Sequence, residues 1–323
     1  MKIPFSLILV FFALAAAAQP AVQPYPSRPV KLVVGFAPAG AADFVARTLS
    51  EPLGRALGQS IVVDNRPGAG SSIAAEFVAK SAPDGYTVLI ASPSSILVNP
   101  ILTPRAGFEP RRDLVPVSKV TSSPLVVAVN PRIGVNTLEE LIAAARRAPG
   151  KLNFATSGNG AAPHLAAVLF MQLAKVDMVH VPYKGGGPAV QSLLAGDTQV
   201  SFATPPSVLP LVHAGRLKAL AVTSRNRTPL VPGVPGMAEA GLPDYELSFW
   251  YGFFVPAGTP PEIIARLHSV TNEALKSAAI NQALAKEGTE SSGSASPEAF
   301  RAFIEEDEKL WRRLVKDSGA KPG

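Results

Sequence analysis

The chain has 323 residues, is 47% hydrophobic and has no cysteine, so disulfides, thiolate metal sites and cysteine nucleophiles are excluded. A charged fraction of 17% argues against disorder, and the length suits two domains with a core each. The formal net charge of +6 is scattered along the chain instead of forming a basic stripe with aromatics, which argues against nucleic-acid binding and fits attraction of small anions.

Residues 1–18 are predicted to be a cleaved secretory signal peptide. Lys2 gives a positive start, an apolar stretch runs from residue 3 to about residue 14, and alanines at 16–18 offer a cleavage site before Gln19. A membrane anchor is the alternative, but the stretch is short for a bilayer span and no basic stop-transfer flank follows it. The mature protein is therefore predicted to be free in the periplasm.

The mature chain alternates strand-like and helix-like segments, the pattern of an α/β fold with parallel sheets. The first segments are a strand at 30–36, a helix at 43–57 ended by Gly58, a strand at 61–64, a helix at 73–81 and a strand within 83–92. A continuous apolar strand is predicted at 123–131, apolar enough for burial on both faces. Three strand–turn–helix units then follow at 151–174, 176–196 and 198–215, before a closing strand at 217–224.

This order of segments predicts two lobes. Residues 124–224 have the size and strand count of a compact domain, and the chain then returns to one strand and amphipathic helices. One lobe is predicted to combine 24–123 with 225–323, and the other to comprise 124–224. The two crossovers between them predict an interlobe cleft, where ligands bind and hinges move.

Four turns between a strand and a helix are predicted to face this cleft, at 36–43, 91–96, 156–164 and 203–207. Turns at the carboxyl ends of parallel strands aim backbone N–H groups and helix starts at a ligand, which favours anions. The alternative is that glycine and alanine only allow tight turns. A nucleotide is disfavoured, because "GFAPAG" lacks the GK[ST] ending and "GNGAAP" is not a GxGxxG fingerprint.

Catalysis finds little support in the sequence. There is no GxSxG or HExxH motif, and the four histidines are not spaced as a metal pair. Ser157 and His164 are close enough in sequence to approach each other, but no residue that would orient the histidine is evident. His180 is predicted to be structural, Trp250, Tyr251 and Phe253 to pack in the core or hinge, and the acidic run at 305–308 to be a solvated helix face.

Six stretches carry a resemblance to a known family: "YPSRPVKLVVGFAPAGAAD", "VVDNRPGAGSSIAAEFVAKSAPDGYT", "PGKLNFATSGNGAAPHLAAVLF", "VHVPYKGGGPAVQSLLAG", "LAVTSRNRTPLVPGVPGMAEAGLP" and "FVPAGTP". Over nearly all of its mature part the chain resembles the Bug family, the periplasmic solute-binding receptors of tripartite tricarboxylate transporters. The resemblance implies a two-lobed venus-flytrap binding protein of type II that holds carboxylates of small organic acids, partly through bridging waters.

The resemblance also implies which residues bind the ligand. Carried over by position, they are Phe36, Pro38, Ala39, Gly40, Ala41, Ala42, Asp43 and Ser92 in the first lobe, and Thr156, Ser157, Asn159, Gly160, Ala161, Ala162, His164, Ala203 and Thr204 in the second. No catalytic residue, metal or cofactor is implied. The implied partners are the carboxylate and the membrane permease subunits of the transporter, and the protein is expected to be a monomer.

The chain departs from the family pattern at several of these positions. Ala39 replaces a glycine, and Ala41, Ala42, Ala161 and Ala162 stand where the family often has hydroxyls. Ala203 stands where an acidic residue is common. The hypothesis is that the ligand lacks an amine and is a dicarboxylic, aromatic or otherwise partly apolar acid. A sensory receptor and a hydrolytic enzyme remain the two alternative functions.

Overall fold

A computed structural model describes residues 25–104 and 108–318 of the chain. The predicted signal peptide at 1–18 lies outside the described residues. Within them, no helix combines the length and the apolar character that a membrane crossing would need.

The structure contains two mixed β-sheets flanked by helices. The strands are β1 (Val30–Val34), β2 (Ile61–Asn65), β3 (Thr87–Ala91), β4 (Leu114–Pro124), β5 (Val126–Val129), β6 (Asn153–Thr156), β7 (Val179–Pro182), β8 (Val200–Ala203), β9 (Lys218–Val222), β10 (Ser248–Pro256) and β11 (Glu290–Ser291). The helices are α1 (Ala41–Leu57), α2 (Ser72–Ala79), α3 (Asn99–Leu102), α4 (Pro110–Asp113), α5 (Leu138–Arg147), α6 (Ala162–Ala174), α7 (Gly186–Ala195), α8 (Pro205–His213), α9 (Pro261–Lys276), α10 (Ala278–Lys286) and α11 (Pro297–Ser318).

Each sheet forms the centre of one lobe, which confirms the predicted two-lobed α/β fold. The first sheet has the order β11-β4-β10-β3-β1-β2, and the second has the order β7-β6-β8-β5-β9. β1 is parallel to β2 and β3, and β6 is parallel to β7 and β8, so their carboxyl ends point the same way within each sheet. The lobe boundaries at 123/124 and 224/225 stay predictions.

The strand predicted at 123–131 is wrong, because the chain changes sheets inside it. β4 ends at Pro124 in the first sheet and β5 begins at Val126 in the second. Between them, the Leu125 N–H donates to the Thr223 hydroxyl at 2.7 Å, and that hydroxyl donates to the Leu247 carbonyl at 2.8 Å. Thr223 therefore ties the two connections between the sheets together.

The helix faces follow from the spacing of apolar residues. α1 buries Val45, Leu49, Leu53 and Leu57 at intervals of four, and Gly58 ends it in the left-handed conformation, as predicted. Trp250 and Phe253 of β10 are buried in the core, as predicted.

The predicted solvated face at 305–308 is wrong for two of its four residues. Asp307 accepts hydrogen bonds from the indole N–H groups of Trp250 and Trp311, and Glu308 is 6% exposed and accepts from Arg111 and Arg312. These contacts dock α11 onto the first lobe.

Candidate functional site: an interlobe cavity at two helix starts

The first cleft turn joins β1 to α1 and is tightly built. Ser71 packs so closely on Gly35 that a side chain at position 35 would overlap its hydroxyl. Ala39 has a φ of 62°, and Gly40 is the N-cap of α1 without a side-chain cap. No capping side chain therefore occupies the first amides of α1, and the Ala42 amide lies against the Tyr251 hydroxyl.

Asp43 holds this turn in shape. Its carboxylate accepts hydrogen bonds from the Ala39 N–H at 3.1 Å, from Arg47 Nε at 2.9 Å and from Asn65 Nδ2 at 3.0 Å. Asn65 Nδ2 also donates to the Phe36 carbonyl at 3.1 Å. Burial alone would raise the pKa of Asp43, but the hydrogen bonds from Arg47, Ala39 and Asn65 outweigh it, so the pKa lies below its ordinary value.

A second helix start faces this turn from the other lobe. α7 begins at Gly186 after the N-cap Gly185, which has no side chain to cap it. A Cβ built on Gly40 would lie 3.5 Å from the amide nitrogens of both Gly186 and Gly187. The starts of α1 and α7 thus approach each other, and both helix dipoles favour an anion between them.

Direct contacts join the lobes on both sides of the cleft. The Ala37 N–H donates to the Lys184 carbonyl at 2.9 Å. At the other side, the Ala162 N–H donates to the Ser94 hydroxyl at 2.9 Å.

A cavity of about 20 Å³ remains between these contacts. Its lining residues are Phe36, Gly40, Ala41, Ala42, Ser157, Pro163, Gly186, Ala189, Val190, Ser201, Phe202, Ala203, Thr204, Phe249 and Tyr251. None of these fifteen, all within the described part of the chain, carries a charged side chain. The Tyr251 hydroxyl lies in hydrogen-bonding reach of the Ala42 backbone; burial raises the pKa of this phenol and the Ala42 contact partly opposes the rise.

The structure brings seven of the seventeen predicted site residues to the cavity. They are Phe36, Gly40, Ala41, Ala42, Ser157, Ala203 and Thr204. The other ten lie outside its lining: Pro38, Ala39, Asp43, Ser92, Thr156, Asn159, Gly160, Ala161, Ala162 and His164. Their roles in binding stay predictions.

Several of these ten have structural partners that explain their position. The Thr156 hydroxyl lies 2.7 Å from His180 Nε2, and the His180 ring stacks on His164 with centroids 4.0 Å apart. Burial lowers the pKa of His164 to about 4, and burial together with the His164 charge lowers that of His180 to about 3. Both rings are therefore neutral at pH 7. The Ser92 hydroxyl is buried and has no hydrogen-bond partner among the described residues.

The turn at 156–162 uses its own amides. The Gly158 N–H donates to Thr156 Oγ1, the Gly160 N–H to His164 Nδ1 and the Ala161 N–H to the Gly158 carbonyl. Its backbone packs against the first lobe, since a Cβ on Gly70 would lie 3.1 Å from the Asn159 carbonyl oxygen. The turn thus packs against the first lobe, and Ser157 is the one of its residues that lines the cavity.

The contributions of α7 and β10 to the cavity were not predicted from the sequence. A strand–turn–helix junction at 182–188, "PYKGGGP", has the same form as the four that were chosen, and its glycines were the available signal. Strand alternation puts Phe249 and Tyr251 on the face of β10 opposite Trp250, which was an available signal, whereas Phe253 has the same parity and does not line the cavity.

Metal ligation finds no support in this part of the molecule. Among residues 25–104 and 108–318, no group of three or more histidine, aspartate or glutamate side chains could hold a metal ion. The site therefore offers peptide amides, a few hydroxyls and an apolar wall.

Comparisons with known proteins place this geometry in a family. BugT of Bordetella pertussis is 40% identical over 318 residues, covering 98% of this chain and 97% of that protein. The solved structure of R. palustris Rpa4515 with adipate is 34% identical with a TM-score of 0.89, covering 93% of this chain and 100% of that one. MatC from Rhodopseudomonas palustris with bound malate is 31% identical with a TM-score of 0.85, covering 90% of this chain and 100% of that one.

The family model described as "Tripartite tricarboxylate transporter family receptor" matches residues 45–320. This match confirms the resemblance drawn from the sequence motifs. The chain belongs to the tripartite tricarboxylate transporter receptor family, TctC, and is a solute-binding receptor of the Bug type.

Proposed function

We propose that this receptor binds a small carboxylate in the interlobe cavity and delivers it to the membrane permease of a tripartite tricarboxylate transporter. The observation that carries the proposal is the close approach of the α1 and α7 starts, since a Cβ on Gly40 would lie 3.5 Å from the Gly186 and Gly187 amide nitrogens. A carboxylate between them would accept charge-assisted hydrogen bonds from both lobes and so stabilise closure. The protein would act in the periplasm as a monomer.

The lining favours an acid without an amine. A zwitterion needs a carboxylate or several acceptors for its ammonium group, because burying an unpaired cation is costly. Ala203 lines the cavity, and the fifteen lining residues include neither aspartate nor glutamate. Phe36, Phe202 and Phe249 instead offer an apolar surface to the body of the ligand.

Calorimetry on the protein purified from the periplasm tests the binding step. Adipate, malate, butyrate and benzoate serve as probes, with glutamate and aspartate as the amine-bearing comparison. Binding of at least one plain acid and tenfold or weaker binding of both amino acids are expected. Tight binding of glutamate or aspartate would refute the ligand preference, and binding of none of the acids would refute the carboxylate site.

Delivery needs a separate experiment. Uptake of the bound acid is measured in cells that carry the permease, with the receptor gene present or deleted. Loss of uptake on deletion, restored by the intact gene, is expected. Unchanged uptake together with ligand-dependent capture of a signalling receptor would favour a sensory role instead.

A further inference from the structure

We propose that a groove at the hinge between the lobes binds a small basic amino acid, or a solute with the same pattern of one carboxylate and two cationic groups. The groove has a volume of about 460 Å³, whereas the interlobe cavity has about 20 Å³. Small-molecule sites commonly have volumes of about 300–1,000 Å³, so the groove can hold such a solute. The inference goes beyond the proposed function and does not depend on the carboxylate site.

The groove lies where the chain crosses between the two sheets. Pro124 ends β4, Leu247 directly precedes β10, and both line the groove. These are the connections that Thr223 ties together, since its hydroxyl donates to the Leu247 carbonyl. Leu230 adds a wall from the other side, because it packs against the core of the second sheet. Within the described part of the chain, the groove and the interlobe cavity have no lining residue in common, so they are separate sites.

Three charged side chains line the groove, namely Glu246, Glu290 and Arg313. Among residues 25–104 and 108–318, none of the three side chains has an ion-pair or hydrogen-bond partner. Burial lowers the pKa of Lys119, and the charge of Glu290 opposes that fall, but the two groups do not form an ion pair. All three groove charges are therefore available to a ligand.

Other charges on helix α11 are paired. Arg312 Nε donates to the Glu308 carboxylate at 2.7 Å, and Lys309 Nζ lies 2.5 Å from the Glu306 carboxylate. Arg313 is the next residue after Arg312, yet its guanidinium lines the groove instead of joining these pairs. The helix thus contributes one unpaired cation to a groove that also holds two unpaired carboxylates.

These charges define the class of solute. The Arg313 guanidinium can bind a carboxylate through two parallel hydrogen bonds, and Glu246 and Glu290 can each accept hydrogen bonds from an ammonium or guanidinium group. Two carboxylates and one guanidinium give the groove a net charge of −1, which favours a solute of net charge +1. The hydroxyls of Ser122 and Ser248 also line the groove and add donors and acceptors.

The groove also has an apolar part. Leu230, Leu247 and Leu310 belong to its lining. The methylene chain of a basic amino acid would lose contact with water against these side chains, which is favourable. A basic amino acid therefore matches both the charged groups and the apolar surface of the groove.

Lysine and two analogues test the inference in the wild-type protein by calorimetry at pH 7.5. Norleucine has the carbon skeleton of lysine without the side-chain ammonium group, and cadaverine is lysine without its carboxylate. Lysine is expected to bind at least tenfold more tightly than either analogue, because only lysine satisfies both signs of charge in the groove. Absence of lysine binding, or binding equal to that of an analogue, overturns the inference. The carboxylate site is untouched by that result, because it is measured with acids that carry no amine.

Variants of the charged side chains locate the binding. Glu246→Gln/Glu290→Gln should remove the advantage of lysine over norleucine, and Arg313→Gln should remove its advantage over cadaverine. The matched control is Glu51→Gln/Glu306→Gln, which changes the net charge equally at two exposed side chains outside the groove and should leave lysine binding unchanged. Wild-type affinity for lysine in both groove variants, or an equal loss in the control, overturns the inference.

Discussion

The Ala37 amide nitrogen lies 2.9 Å from the Lys184 carbonyl oxygen, and this backbone hydrogen bond joins the two lobes beside the cavity. Glycine at position 185 permits the two lobes to come this close, because a Cβ there would lie 2.9 Å from the same Ala37 nitrogen. Closure thus brings backbone against backbone at the place where the helix starts meet. Residues of both lobes line this cavity, so a ligand held there would couple binding to closure.

Gly187→Ala is expected to weaken ligand binding without unfolding the protein. A Cβ at this position would lie 2.9 Å from the Pro38 carbonyl oxygen and 3.2 Å from that of Ala39, both across the cleft. The lobes would have to separate to relieve the contact. Within helix α7, however, alanine is favoured over glycine by roughly 1 kcal/mol.

Two measurements on this variant separate closure from folding. Calorimetry should show at least tenfold weaker binding of whichever acid the wild type binds, and thermal denaturation without ligand should show an unchanged or higher melting temperature. Wild-type affinity in Gly187→Ala would show that the closed contact at Pro38 does not govern binding.

Asp43→Ala is expected to destabilise the first cleft turn. It removes the acceptor for Ala39, Arg47 and Asn65 at once, and hydrogen bonds to a buried charged group contribute about 2 kcal/mol each, so the free energy of unfolding should fall by roughly 3 kcal/mol after partial relaxation. Ligand affinity should fall as well, because the amides of α1 lose their fixed direction.

The same helix offers a matched control for this change. Glu51 and Arg55 form an exposed pair with the same four-residue spacing, so Glu51→Ala should change the free energy of unfolding by less than about 0.5 kcal/mol. Urea denaturation of both variants gives the comparison. Equal effects would mean that Asp43 acts only as a surface charge.

The stacked histidines His164 and His180 are expected to make stability depend on pH. Their folded-state pKa values, about 4 and about 3, lie below the ordinary 6.5, so between pH 6.5 and these values the unfolded chain binds protons that the folded protein does not. The contribution of the two neutral rings to the free energy of unfolding is therefore complete above pH 6.5 and is lost as the pH falls. We expect the free energy of unfolding to fall by about 2 kcal/mol between pH 7 and pH 5. This is roughly half of the fall expected for fully buried rings, because the two rings keep some contact with solvent.

His180→Gln should reduce this pH dependence, since glutamine keeps a polar partner for Thr156 and does not titrate. His213 is exposed at the end of α8, and His213→Gln should leave the curve unchanged. Denaturant unfolding at pH 5, 6 and 7 measures the slope of the free energy of unfolding against pH in each variant. A wild-type slope retained in His180→Gln would assign the pH dependence to other groups.

Asp307→Ala is expected to loosen α11 from the first lobe. The Asp307 carboxylate accepts from Trp250 Nε1 at 2.7 Å and from Trp311 Nε1 at 2.8 Å, so its loss leaves two indole donors without their acceptor. The free energy of unfolding should fall by about 3 kcal/mol, whereas exposed Glu306→Ala on the same helix should change it by less than about 0.5 kcal/mol.

Tryptophan fluorescence reads this change directly. Trp250 and Trp311 are the two tryptophans of the chain, so emission reports only on this cluster. A red shift is expected in Asp307→Ala and none in Glu306→Ala. Unchanged emission and stability in Asp307→Ala would show that the indoles find other acceptors.

Part of the cleft could be predicted from local patterns. The apolar spacing of α1 and its end at Gly58 depend on helix geometry and on the conformational freedom of glycine, which are local properties. The turn around Gly40 followed from a strand, a small-residue turn and a helix in sequence, and it does line the cavity. Thr156 and His164 were chosen by the same rule, yet their polar groups serve Gly158, Gly160 and His180.

The order of strands and helices and the two lobes could be predicted from the sequence alone, because hydrophobic periodicity and turn chemistry act over a few residues at a time. The family followed from the resemblance of six sequence stretches. Only the tertiary structure decided that the strand predicted at 123–131 divides at Leu125, that α7 meets α1 across the cleft, and that Tyr251 lines the cavity. The physical reason is that these features depend on contacts between segments that lie far apart in the sequence, such as Leu125 with Thr223 and Gly40 with Gly186. Such contacts are fixed by packing of whole lobes, which no short stretch of sequence encodes.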